Sequence, residues 1–201
     1  MLQFRHQPVI LASQSPRRRE LLARIIPAFT VSPADVDESL SPDCTPKQNV
    51  RQLAQRKARA IAKQADADAL VIAADTIVVC DDIILGKPEN QADAVRMLHM
   101  LSGRTHQVMT AVCVKTAEKE LSAVSVTDVT FRTLRKGEAE AYAASGEPMD
   151  KAGAYGIQGA GALFISGIHG DYYGVMGLPI CMLYELLHEI CGGKNAETQK
   201  G

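Results

Sequence analysis

Blocks of apolar and polar residues along the first part of the chain predict strands that are followed by helices. Residues 8–13, PVILAS, form a short apolar run typical of a buried strand. A helix is predicted over 16–26, with Ser15 as its N-cap and Pro16 as its first residue. Residues 29–40 predict a second strand that runs into a polar loop.

A longer helix is predicted over 45–65, because apolar residues recur there at helical spacing. The residues of this apolar stripe are Val50, Leu53, Ala54, Ala58 and Ile61. The apolar run over 69–88 is interrupted by Asp75 and Thr76, and it turns at the two aspartates 81–82. This run therefore predicts β-structure that is broken at Asp75 and Thr76.

The second half of the chain predicts both strands and helices. A helix over 89–103 is ended by Gly103, and 106–116 and 121–134 are β-rich and predict a long hairpin. The remaining predictions are a helix over 136–146, a glycine-rich loop over 150–164, two short strands within 162–177, a helix over 178–190 and a disordered tail over about 192–201.

Strands that alternate with helices and are followed by antiparallel strands predict an α/β fold with a mixed, elongated central sheet flanked by helices. The chain of 201 residues is long enough for one large domain or for two lobes around a shared core. We expect a single domain over 1–201 with its core at about 9–190, since one continuous sheet fits the pattern better than two independent domains.

Charge and composition exclude some classes of function. The 22 basic and 23 acidic residues give a net charge of −1, which argues against a general nucleic-acid binder. Aromatic residues make up 4% of the chain, too few for a base-stacking surface. The five cysteines form no CxxC pair and are expected to be reduced, buried small residues. Without an N-terminal apolar region or a run of about 18 apolar residues, the protein is expected to be cytoplasmic, with no membrane contact.

The consecutive arginines 17–19 are the first candidate for chemistry. Arg17 and Arg18 fall in the first turn of the predicted helix, where the helix dipole already favours an anion. Guanidinium groups match phosphate oxygens in a bidentate manner, and Ser13 adds a hydroxyl group. We interpret this segment as a strand-to-helix turn that binds phosphates, and a solvated basic face is the alternative.

Asp75 is the second candidate, because a carboxylate within an apolar run is unfavourable unless it is paired or binds a metal. Such residues act as general bases or metal ligands, and Glu38 is a second possible ligand for the same metal. The alternative for Asp75 is an ordinary turn between two short strands. Lys57 on a helix and Lys87 in a Gly-Lys-Pro turn are weak candidates alone, since most lysines are exposed.

Seven motifs together resemble the Maf proteins, which are nucleotide pyrophosphatases with an inosine-triphosphatase-like fold. In chain order these are LASQSPRRRELL, DES, AADTIVV, GKP, LSGRTHQVMTAV, VTDVTFR and DKAGAYGIQGAGALFISGIHGDYYGVMGLP. The resemblance covers about residues 9–190. It implies a mixed sheet in two lobes around a cleft, a homodimer, and hydrolysis of a nucleoside triphosphate to the monophosphate and pyrophosphate with Mg²⁺ or Mn²⁺.

The resemblance also implies roles for individual residues. Asp75 matches the proton acceptor of the family and, with Glu38, the metal ligands. The phosphate-binding positions match Ser13, Arg18, Lys57 and Lys87. An alternative is implied by the family's association with septum formation, in which the protein would regulate cell division by binding a partner.

Three positions indicate a subfamily. Arg17, Thr76 and Gln158 match the branch that resembles dTTP/UTP pyrophosphatases, whereas the 7-methyl-GTP branch has tryptophan, glutamine and glutamate there. This chain contains no tryptophan. A glutamine amide offers both a donor and an acceptor, as the edge of uracil or thymine requires. The expected substrates are therefore dTTP and UTP, with modified pyrimidine nucleotides as further candidates in the house-cleaning of nucleotide pools.

Overall fold

The computed structural model describes residues 7–192, which build a mixed sheet flanked by helices. The strands in this range are β1 (Val9–Leu11), β2 (Thr30–Val31), β3 (Leu70–Cys80), β4 (Ile83–Leu85), β5 (Thr105–Lys115), β6 (Glu120–Phe131) and β7 (Ile165–His169). The α-helices are α1 (Pro16–Ala23), α2 (Pro46–Ala62), α3 (Gln91–Leu101), α4 (Glu138–Ala144), α5 (Tyr172–Met176) and α6 (Ile180–Gly192). Short 3₁₀ segments cover Glu147–Asp150, Ala152–Ala154 and Ala160–Phe164.

The predicted mixed sheet is confirmed by its strand order and directions. Its order is β2-β1-β3-β5-β6-β7, and β4 pairs with β3 off this path. Strand β1 pairs in parallel with both β2 and β3, whereas β3–β4 and β6–β7 are antiparallel pairs. The predicted hairpin of β5 and β6 is present as two neighbouring strands, joined by a turn in which the Thr116 N–H donates to the Lys119 carbonyl at 2.9 Å.

The chain divides into two compact units. The first comprises residues 7–75, Thr110–Ser125 and residues 177–192, and the second comprises Thr76–Met109 and Val126–Met176. Strands β3, β5 and β6 each contribute residues to both units. A single domain with two lobes around a cleft stays a prediction.

In the first unit, helix α1 begins at its predicted first residue and α2 begins one residue after its predicted start. Ser15 caps α1 by accepting from the Arg18 N–H, and Pro16 is the first helical residue. Thr45 and Gln48 form a capping box at the start of α2. Every residue of the predicted apolar stripe of α2 is buried, so helical spacing identified the face that packs inward.

Strand β3 corrects the interruption predicted at Asp75 and Thr76. The strand is continuous from Leu70 to Cys80, and all its residues except Thr76 are buried. Strands covered on both faces have nearly continuous apolar sequences, into which one paired polar residue can fit. The predicted turn at Asp81 and Asp82 is confirmed, with φ of 48° and 64°, the positive values that a two-residue hairpin turn requires.

In the second unit, the prediction of two strands within 162–177 is wrong in its second half. Strand β7 ends at His169, and the chain then forms helix α5. Asp171 starts this helix because its carboxylate accepts from the Tyr173 N–H at 2.8 Å, while its own N–H donates to the Thr127 hydroxyl at 3.0 Å. The predicted glycine-rich loop contains two 3₁₀ segments, Ala152–Ala154 and Ala160–Phe164, and begins at the last residue of a third, Glu147–Asp150.

Several smaller predictions have mixed outcomes. Helix α3 ends at Leu101, and Gly103 follows with φ of 70°, as predicted.

The cysteines are free thiols, of which Cys80 and Cys113 are buried as predicted, whereas Cys181 is exposed. The predicted disordered tail lies outside the described residues except for its first position, which is the end of α6. Among residues 7–192, no helix has the length and apolar character needed to cross a bilayer.

Candidate functional site

Five of the predicted site residues meet in the first unit, and we call them the polar cluster. They are Ser13, Arg18, Glu38, Lys57 and Asp75. Parallel pairing of β1 with β3 sets Leu11 opposite Ile72, so the loop after β1 begins beside the residues that precede Asp75. The carboxyl end of a parallel strand and the following helix are a common place for ligand sites in α/β folds.

A lysine between two carboxylates forms one half of the polar cluster. Lys57 Nζ lies 2.5 Å from Asp75 Oδ1 and 2.6 Å from Glu38 Oε1. The side chains of Lys57 and Asp75 are each 12% exposed, whereas that of Glu38 is 57% exposed. The Lys57–Asp75 pair is therefore largely desolvated, and removal of Lys57 would leave two carboxylates without the cation that they share.

The position of Lys57 follows from the phase of helix α2. Leu53 and Ile61 lie four residues before and after it, and both are buried. Residues at this spacing share one face of a helix, so Lys57 is a cation on an apolar face. That placement could have strengthened Lys57 as a candidate from the sequence alone, because exposed lysines lie on the opposite face.

Arg18 forms the other half of the polar cluster. Its Nε donates to the Gly177 carbonyl at 2.8 Å, and its Nη1 donates to the Ser13 hydroxyl at 3.3 Å. Burial is the main cause that lowers the pKa of the Arg18 guanidinium, and the carboxylates of Asp75 and Glu38 act in the opposite direction. Arg18 therefore lies within the electrostatic field of both carboxylates rather than on a solvated basic face.

The other arginines of the run are placed differently. Arg17 is partly exposed, and its charge lowers the pKa of its neighbour Arg18 further. Arg19 is exposed. The start of α1 thus presents guanidinium groups together with the positive end of a helix dipole, an arrangement suited to an anion with several negative charges.

The donor set of the polar cluster fits a hard divalent cation. Two carboxylates, from Asp75 and Glu38, reach the same nitrogen atom, so their oxygens lie no farther apart than the sum of the two distances. The described residues include no group of three or more His, Cys, Asp and Glu side chains suited to a metal. Mg²⁺ is commonly bound through one or two carboxylates together with substrate phosphates and water, and this pair fits such a substrate-completed site.

Three predicted site residues belong to the second unit and are not part of the polar cluster. Thr76 is partly exposed on β3. Lys87 is exposed next to Gly86, whose carbonyl accepts from the Gly153 N–H at 3.0 Å. Gln158 is exposed between two 3₁₀ segments. The roles of these three residues in substrate binding stay predictions.

The loop that contains Gln158 is anchored by the carboxylate of Glu147. Glu147 Oε2 accepts from the Ala160 N–H at 3.1 Å, and Glu147 Oε1 accepts from the Tyr142 hydroxyl at 2.8 Å. A Cβ atom at Gly159 would overlap with Glu147 Oε1. Glycine at this position therefore allows the loop to approach its anchor closely.

Sequence reasoning missed two residues that hold the loop around Glu38. Arg56 donates to the carbonyls of Asp37 at 2.6 Å and of Ser39 at 2.9 Å. Asn49 is buried and bonds the backbone of Ser41 on both its N–H and its carbonyl. Asn49 could have been noticed as a polar residue beside Val50 on the inward face of α2, whereas nothing in the pattern distinguishes Arg56 from other helical arginines.

Comparison with known proteins adds four findings. The family model described as "Maf-like protein" matches residues 8–190. The dTTP/UTP pyrophosphatase of Moorella thermoacetica is 54% identical over 181 residues, which are 89% of this chain and 93% of that protein. The dTTP/UTP pyrophosphatase of Aquifex aeolicus is 48% identical over 182 residues, covering 90% and 95%. The structure of a HAM1 protein from Coxiella burnetii has a TM-score of 0.51 at 18% identity, over 91% of this chain and 99% of that one, which is a likeness of fold.

Proposed function

This chain belongs to the Maf-like protein family, and from that membership we propose that it hydrolyses dTTP and UTP to the nucleoside monophosphate and pyrophosphate. The relatives named dTTP/UTP pyrophosphatase support this substrate class, since they match about nine-tenths of the chain. The observation that carries the proposal is the desolvated Lys57–Asp75 pair with Arg18 in the same unit. These residues supply a candidate general base, Asp75, together with cations that could bind the phosphate groups of a nucleotide.

In the proposed reaction, water attacks the α-phosphorus and the bond to the bridging oxygen breaks, so that pyrophosphate leaves. Asp75 takes the proton from the attacking water. Arg18 and Lys57 stabilise the charge that develops on the phosphate oxygens. Ser13 offers a hydroxyl group beside Arg18, and Lys87 is proposed to add a further positive charge.

Asp75 and Glu38 are the residues that would hold Mg²⁺ or Mn²⁺. Such an ion, when bound, neutralises phosphate charge and lowers the pKa of bound water. The support for this part of the proposal is the approach of both carboxylates to one cation, Lys57 Nζ.

Selection of the nucleobase of the substrate is proposed to rest on Arg17, Thr76 and Gln158. The amide of Gln158 can pair with the donor and acceptor edge of uracil or thymine, and modified pyrimidines that keep this edge are further candidate substrates. The free thiols are in keeping with a reducing compartment such as the cytoplasm. The homodimer stays a prediction from the family resemblance.

The test is pyrophosphate release by the purified protein with Mg²⁺ or Mn²⁺, across dTTP, UTP, CTP, GTP, ATP and 7-methyl-GTP. We expect release mainly from dTTP and UTP, and Asp75→Asn is expected to lower turnover by about 10²–10⁴-fold. Asp82→Asn is the matched control, because Asp82 is exposed and asparagine tolerates its positive φ. Near-full activity of Asp75→Asn would remove Asp75 as the base, and no release from any nucleotide would favour the protein-binding alternative.

A further inference from the structure

Glu38 is held in a defined place although its surroundings provide little packing. It lies in the segment between β2 and α2, which has no regular secondary structure, and its side chain is 57% exposed. Its carboxylate nevertheless lies 2.6 Å from Lys57 Nζ. An exposed loop carboxylate loses conformational freedom when it is fixed in this way, and an interaction that holds the adjacent backbone lowers this cost.

Arg56 supplies that interaction with its two-pronged guanidinium group. Its Nη1 donates to the Asp37 carbonyl at 2.6 Å, and its Nη2 donates to the Ser39 carbonyl at 2.9 Å. The two acceptors are the residues immediately before and after Glu38. A planar guanidinium can make both bonds at once, whereas a lysine ammonium is a single point of charge on a flexible chain.

The turn around Glu38 is also closed from within. The Asp37 carboxylate accepts from the Ser39 N–H at 2.8 Å and from the Ser39 hydroxyl at 2.7 Å. Asp37 is therefore engaged in the turn itself, which leaves the side chain of Glu38 to project toward Lys57.

We infer that Arg56 is a positioning residue, which fixes the backbone on both sides of Glu38 so that its carboxylate is in place before a divalent cation arrives. Two neighbouring residues of α2 act together here, since Arg56 holds the backbone of the loop and Lys57 holds the carboxylate. The inference rests on the proposed role of Glu38 as a metal ligand. Residues that orient metal ligands typically change metal affinity or activity by about 10–100-fold when they are replaced.

Loss of Arg56 should free only this part of the loop. Asn49 anchors the following part independently, since its amide donates to the carbonyls of Ser41 at 3.0 Å and Cys44 at 3.1 Å. Arg56 itself is partly exposed and its acceptors are exposed backbone, so water can replace the guanidinium. We therefore expect Arg56→Ala to fold.

The experiment compares Arg56→Ala and Arg56→Lys with the wild-type protein and with Arg51→Ala, an exposed arginine of the same helix. Binding of Mn²⁺ without nucleotide is measured from the electron paramagnetic resonance signal of the free ion. Amide hydrogen exchange is measured in peptides that contain Ser39. Nucleotide turnover is then measured over a range of Mn²⁺ concentrations.

We expect Arg56→Ala to bind Mn²⁺ about 10–100-fold more weakly, to exchange faster at Ser39, and to recover most of its turnover at high Mn²⁺ concentration. Arg56→Lys should also bind Mn²⁺ more weakly, because lysine keeps the charge but cannot make the two bonds to the backbone carbonyls. Arg51→Ala should bind Mn²⁺ with the wild-type affinity. Unchanged Mn²⁺ affinity in Arg56→Ala, with or without faster exchange, would overturn the inference.

The outcomes also separate this inference from the proposed function. A wild-type protein that binds no Mn²⁺ would overturn the inference at its premise. A wild-type protein that binds Mn²⁺, loses this binding in Arg56→Ala and hydrolyses no nucleotide would support the positioning role and remove the proposed function.

Discussion

His106 leads to a prediction about stability in acid, because its ring is buried in the second unit. Its Nε2 lies 2.8 Å from the Tyr155 hydroxyl oxygen, and the rings of Phe131 and Tyr155 meet it edge-on at centroid distances of 5.1 and 5.4 Å. His106 Nδ1 has no hydrogen-bond partner within the part of the chain that the structure describes. Burial lowers the pKa of His106 from 6.5 to about 4.

The sign and size of the effect follow from this shift. Between about pH 4 and 6.5 the unfolded chain holds a proton on His106 that the folded protein excludes, so the free energy of unfolding falls as the pH falls. Each unit of pKa shift corresponds to about 1.4 kcal/mol. The full loss is about 3 kcal/mol below pH 4, and about 2 kcal/mol is already lost at pH 5.

The assay is urea unfolding of wild type and His106→Gln at pH 7.5 and pH 5.0. Glutamine keeps a polar group for Tyr155 but cannot take up a proton, so the pH change should favour the variant by about 2 kcal/mol relative to the wild type. His99→Gln is the control, because the side chain of His99 is 54% exposed. The reasoning is refuted if the stability difference between His106→Gln and wild type is the same at both pH values, or if the His106 ring titrates near pH 6.5 by nuclear magnetic resonance.

Three further predictions concern other parts of the molecule. Lys57→Met should lower turnover by at least about 10²-fold. It should nevertheless bind Mn²⁺ more tightly without nucleotide, because the Lys57 ammonium forms ion pairs with the two carboxylates that would bind the metal. Weaker Mn²⁺ binding would contradict this. Gly153→Ala should lower the free energy of unfolding, measured in urea, by about 2–4 kcal/mol, since φ is 70° and the new Cβ would lie 2.8 Å from Val78 Cγ2. The control is Gly146→Ala, which has a similar φ of 76° but open space around the new Cβ, and it should lose only about 1 kcal/mol. Gln158→Glu should reduce kcat/KM for dTTP and UTP more than for GTP, and unchanged ratios would exclude Gln158 from selectivity.

Local sequence signals predicted helices α1, α2 and α3 well, because each has a boundary signal of its own. Ser15 and Pro16 mark the start of α1, and the spacing of apolar residues marks the inward face of α2. The paired state of Asp75 could also be predicted, since a carboxylate in an apolar run needs a partner. Its partner could not be identified, because Lys57 and Asp75 are 18 residues apart and meet only through the fold.

The failures come from interactions that no local window contains. An unbroken β3 requires cover on both faces, so the polar pair at Asp75 and Thr76 was mistaken for a break. Helix α5 depends on the Asp171 cap, which is bonded to Thr127, 44 residues earlier. Arg56 donates to backbone carbonyls, and because every residue has one, the sequence of the loop does not show which carbonyls are bound.

The two anchors on α2 impose a strict limit on insertions and deletions. Asn49 and Arg56 are seven residues apart, close to two helical turns, so both reach the same loop. One residue added between them would rotate everything after it by about 100° about the helix axis, carrying Arg56 and Lys57 away from their acceptors together. Residues added before Asp37, in the irregular segment between β2 and α2, leave this phase intact. The length of the chain is therefore constrained in the regular helix and free in the irregular segment beside it, so that homologous chains should vary in length before Asp37 and keep a fixed count from Asn49 to Lys57.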